Sequence, residues 1–142
     1  MNKLAGTETD QYKHNCMSQD KVEQIQYEID TWKRLLTFMM DENIWLKNRL
    51  VEILKKELGR ANLTSIEAFH NSFIREDDMI SVLRNDISEF SKILKSEQII
   101  PESALIAEAD NKLENIRRHI SLLEKDFSRL KLDFNKYLLQ HV

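Results

Sequence analysis

From Val22 onward the apolar residues recur at alternating steps of three and four: Val22, Ile25, Ile29, Trp32, Leu36 and Met39, then Asn43, then Leu46, Leu50 and Ile53. This is a heptad seam, the pattern that keeps one stripe of a helix facing its neighbours. The run ends at Lys55 and Lys56, which suit the negative end of a helix, and at Gly59, which suits a left-handed cap. A second run opens where Thr64 and Glu67 have capping-box spacing, with Leu63 placed as a hydrophobic staple. Its seam is Ile66, Phe69, Phe73, Glu76, Ile80, Leu83, Ile87, Phe90 and Leu94. A third follows Pro101, through Ile106, Ala109, Leu113, Ile116, Ile120, Leu123, Phe127, Leu130, Phe134 and Tyr137, with no polar member.

Three helix-length patterns joined by short connections predict antiparallel neighbours. The expected fold is all-α: an elongated, up-down-up, antiparallel three-helix coiled-coil bundle over residues 18–142, with helices at about 18–58, 64–95 and 101–140. Residues 1–17 carry no heptad and are expected to form a flexible, polar N-terminal tail. Antiparallel three-helix coiled coils resemble spectrin-type repeats in architecture. That likeness rests on the heptads and implies nothing about function.

The seams also suggest a register. With a first turn near residue 61, facing residues of helices 1 and 2 have numbers summing to 122 or 123, as in Ile53 with Phe69 and Asn43 with Ile80. For helices 2 and 3, a sum of 196 pairs Ile66 with Leu130 and Ile80 with Ile116. Asn43 then shares a layer with Ile80 and Ile116, and Glu76 one with Leu46 and Ile120. Polar residues at seam positions lower stability but penalise slipped registers, so Asn43 and Glu76 read as a register-setting polar core. The same register makes Phe134, Tyr137 and Leu138 overhang the start of helix 2 by roughly 13 Å. They become candidate contact residues, and truncation after Lys131 is expected to weaken self-association at modest thermal cost.

Composition narrows the remaining possibilities. The chain has 142 residues, 42% apolar and 32% charged, with two glycines and one proline. So few breakers exclude a β-rich fold. A net charge of −3 gives no general attraction to nucleic acid or to anionic membranes, and neither is an expected partner. Cys16 is the single cysteine, no apolar run reaches a membrane span, and the N-terminus lacks a secretory signal. A cytoplasmic setting is expected.

Candidate chemistry is sparse. A carboxylate-bridged di-metal bundle needs two Glu-x-x-His pairs, and only Glu67 with His70 has that spacing. Cys16 beside His14 lies in a polar segment with nothing to fix its geometry. Arg117, Arg118, Lys125, Arg129, Lys131 and Lys136 interleave with Glu124, Asp126 and Asp133, the pattern of a salt-bridged solvated face. No catalytic residue, metal or cofactor is expected.

What stands out is apolar surface on helix 1 in excess of its seam. Leu35, Phe38 and Trp45 lie on one flank, and Met40, Ile44, Val51, Leu54 and Leu58 on the other. Phe38 and Trp45 are one heptad apart and far from the seam, which marks a candidate partner surface. The expected function is a non-enzymatic bundle acting through protein contacts, as a self-associating scaffold or homodimer. The alternatives are an adaptor or chaperone that buries a partner helix on helix 1, and a metal-dependent bundle enzyme.

Overall fold

A computed structural model of the chain describes the backbone of residues 2–56, 63–95 and 102–141, and the side chains of residues 20–56, 63–95 and 107–140. The described backbone is helical throughout: α1 (Asn2–Lys56), α2 (Leu63–Lys95) and α3 (Glu102–His141). α2 packs against both α1 and α3 as a three-helix bundle. The Gly59 cap, Leu58 and Pro101 fall outside the described residues.

The seams become the core as their spacing requires. Every described seam position is buried except Val22, Phe69 and Leu130, which are half-buried. The core is one continuous row, from Ile25, Leu94 and Ala109 at one end to Ile53, Ile66 and Tyr137 at the other. α2 alone runs for 33 residues, about 50 Å at 1.5 Å per residue. The bundle is therefore elongated, and each core residue relies on the few neighbours in its own and adjacent layers.

Two expectations are corrected. α1 begins at Asn2, so its helical backbone starts well before the expected residue 18. A helix needs no apolar seam to continue from a nucleated neighbour, and this segment holds only Gly6 as a breaker. Its side chains, including those of His14 and Cys16, lie outside the described residues. The described core starts at Ile25, so deleting residues 1–17 is expected to shift the melting temperature by a few degrees at most. A drop beyond roughly 10 °C on calorimetry would show that the segment is docked.

The second correction is the α2–α3 register. Phe69 and Phe134 have ring centroids 5.3 Å apart, Phe69 and Tyr137 5.3 Å, and Phe73 and Phe134 5.2 Å. Those pairs sum to 203, 206 and 207, so α3 has slid seven to eleven residues from the register summing to 196. Apolar periodicity does not detect such a slide. A shift of one heptad returns seam to seam, pairing Ile66 with Tyr137, Phe69 with Phe134 and Leu94 with Ala109. Ile116 therefore leaves the layer of Asn43, and the overhang disappears. Phe134 is 0% exposed, Tyr137 is buried and Leu138 packs partly buried against the core. Phe134 and Tyr137 are core residues of their own chain.

Candidate functional site

Two features of α1 are left once the core is built: a polar layer inside and an aromatic face outside. Asn43 occupies a seam position and is 0% exposed. Its Nδ2 donates to the Phe73 carbonyl at 2.8 Å and to Asp77 Oδ1 at 2.6 Å. Both acceptors require a donor, which fixes the orientation of the amide. Asp77 also pairs through Oδ2 with Lys47, so the buried amide connects to a half-buried ion pair at the α1–α2 edge. Asn43 Oδ1 has no hydrogen-bond partner.

Glu76 lies one residue before Asp77 and points the other way, into the core, with 5% exposure. Its Oε2 has no hydrogen-bond partner. Burial raises its pKa from 4.5 to about 7, the charge of Asp126 on α3 adds to the rise, and Arg75 opposes it. The carboxyl is poised to titrate near neutrality because the site offers a charge no solvation.

Outside the core, α1 and α3 run parallel and are tied by ion pairs at one constant separation of 89 residues. Lys21 meets Asp110 at 3.1 Å, Glu28 takes two bonds from Arg117 at 2.6 and 2.8 Å, and Glu42 accepts from Lys131 at 2.8 Å. Lys131 also sits 5.0 Å from the Phe127 ring centroid. Exposed pairs of this kind contribute at most about 1 kcal/mol each. Their constant spacing shows that they reinforce one register, and they occupy two of the basic residues of α3 with acids of α1.

The two flanks of α1 fare differently. Met40 and Leu54 pack partly buried against the core, as does Leu35, whereas Ile44 and Val51 stay exposed. Phe38 and Trp45 remain 59% and 62% exposed. A third aromatic, Tyr27, is 71% exposed. It lies 11 residues before Phe38 and 18 before Trp45, about three and five full turns of helix. The three rings therefore share one line along the outer face. Tyr27 escaped the reading of the flanks because counting by sevens sets it on the polar strip of Arg34 and Asp41; the 11- and 18-residue spacings are the signal that finds it.

Other groups remain dispersed. Glu67 and His70 are both exposed on α2 and line an open groove with Leu50, Val51, Leu54 and Ile66. His119 borders a groove between α2 and α3 with Asp86, Met79, Val82 and Leu122. Among the described residues no three His, Cys, Asp or Glu side chains gather as metal ligands, and no helix is long and apolar enough to cross a membrane. Comparison of the chain with protein-family models, with curated proteins and with solved structures finds no match.

Proposed function

We propose that the chain is a non-enzymatic helical bundle that acts through protein contacts, with self-association through the outer face of α1 as its principal mode. The observation that carries this reading is the exposure of Phe38 and Trp45, one heptad apart on a helix whose core face is already satisfied. Aromatic side chains lined up on a surface mark contact sites, and Trp is favoured at their energetic centres. The bundle serves as a stiff support for that face. Asn43 and Glu76 contribute register: sliding α1 by one heptad would keep every apolar seam matched but strip Asn43 of the Phe73 carbonyl and Asp77. A single cysteine fits a cytoplasmic, reducing setting.

Sedimentation equilibrium at about 10–100 µM tests the reading. The wild type is expected to sediment as a monomer–dimer mixture whose average mass rises with concentration, and the double variant Phe38→Ser, Trp45→Ser as a folded monomer throughout, with unchanged helical circular dichroism. A monomeric wild type over that range would end the self-association reading. Binding of an amphipathic helical peptide by that monomer would instead support an adaptor that buries a partner helix.

A further inference from the structure

Opposite its core seam, α1 carries a second row with the same alternating steps of three and four. Its central members are Tyr27, Thr31, Arg34, Phe38, Asp41 and Trp45, and every one is exposed. The corresponding outer rows of α2 and α3 hold no aromatic residue among the described residues. Such a row is the apparatus of a helix that packs on two sides.

The row is self-complementary when reversed about its midpoint near residue 36. Pairing residues whose numbers sum to 72 sets Tyr27 on the partner's Trp45, Arg34 on the partner's Phe38 and Thr31 on the partner's Asp41. Each contact then occurs twice across a twofold axis. Their chemistry is favourable in kind for two of the three, an aromatic pair and a guanidinium over a ring; at the third the Thr31 hydroxyl, which already donates to the Tyr27 carbonyl at 3.0 Å, lies beside the partner's Asp41.

Neighbouring registers keep only part of this match. A slide to a sum of 79 retains a guanidinium over a ring, Arg34 on the partner's Trp45, but sets Phe38 on the partner's Asp41 and Tyr27 on the partner's Glu52. A slide to 65 retains an aromatic pair, Tyr27 on the partner's Phe38, but sets Trp45 on the partner's Asp20. A parallel arrangement stacks like rings but sets Arg34 against the partner's Arg34 and Asp41 against the partner's Asp41. Beside the row, the antiparallel register brings Glu28 near the partner's Glu42. Each of those acids is already paired within its own chain, Glu28 with Arg117 and Glu42 with Lys131.

We propose that a second copy of the chain docks antiparallel on the outer face of α1, stacking Tyr27 on the partner's Trp45 and laying Arg34 over the partner's Phe38. This rests on the self-association reading and specifies its geometry. From Tyr27 to Trp45 the contact is about 27 Å long and one helix wide. That is smaller than a standard stable interface, so the dimer is reversible, with a Kd on the order of 10–100 µM.

Site-specific cross-linking of the full chain in a Cys16→Ser background tests the geometry. Thr31→Cys and Asp41→Cys are made as separate proteins at about 50 µM. Under mild oxidation the equimolar mixture is expected to give a disulfide-linked heterodimer, and each protein alone little product. Efficient cross-linking of Thr31→Cys alone would show a parallel pairing and overturn the proposal. Arg34→Gln is expected to weaken the dimer about tenfold by removing the guanidinium from the partner's Phe38 at both symmetric contacts; in a parallel pairing it would relieve Arg–Arg repulsion and strengthen the dimer instead. Wild-type sedimentation in the same buffer separates the two levels of failure. A dimer with no cross-link in the mixture refutes the antiparallel register alone, whereas a monomer refutes self-association and the register with it.

Discussion

Phe134→Ala is expected to lower stability by about 3–5 kcal/mol, the usual cost of emptying a fully buried aromatic site. The ring is fully buried and sits edge-on to both Phe69 and Phe73. In a core one row wide, the lining has few neighbours to collapse inward and refill the space. Against a typical total of 5–15 kcal/mol this is a large fraction, and for a chain of this length it corresponds to about 10–15 °C in Tm. Truncation after Lys131 removes Tyr137 as well as Phe134 and is expected to abolish cooperative unfolding above room temperature. Leu139→Ala, at an exposed position on the same helix, is the control and should stay within about 0.5 kcal/mol of wild type. If Phe134→Ala melts like wild type, or the truncated chain remains cooperatively folded, the end of α3 does not pack along α2 as described.

The contrast between Phe134 and Phe73 shows where the sequence was legible. Phe73 is buried in any register that keeps the seams facing, so its burial follows from periodicity. The surroundings of Phe134 depend on how far α3 slides along α2, and a seven-residue repeat is blind to a seven-residue slide. Information on that slide resides elsewhere: in the bonds of Asn43 to one carbonyl and one carboxylate, and in three ion pairs sharing a separation of 89 residues. Neither was available before the partners were known. The nearness of Asp126 to Glu76 was hidden for the same reason, because the earlier register set Ile120 opposite Glu76. The exposure of Phe38 and Trp45 was legible, since no bundle of three helices covers the side of α1 opposite its seam.

Glu76 supplies the second large effect, and it depends on pH. In the unfolded chain its pKa is near 4.5, and in the bundle burial and Asp126 raise it to about 7. Between those values the folded state holds a proton that the unfolded state has released, so the contribution of Glu76 to stability falls as pH rises through this window. Below about pH 4.5 both states are protonated and nothing is lost; above pH 7 the whole penalty, on the order of 3 kcal/mol, is present. The groups facing the carboxyl have distinct parts. Asp126 on α3 adds to the rise and Arg75 on α2 opposes it, whereas Asp77 is engaged with Asn43 and Lys47 on α1. Glu76→Gln keeps the shape of the protonated acid and cannot ionise. Urea unfolding of wild type and Glu76→Gln at half-unit steps from about pH 4.5 to 8.5 is expected to give two curves that coincide at the acid end. They should separate progressively, with the variant about 2–3 kcal/mol more stable at the alkaline end. Subtracting the curves removes the titration of every other carboxylate. A gap that is constant with pH would mean that Glu76 ionises without penalty and reaches water, and that the middle of the bundle is wetter than its 5% exposure implies.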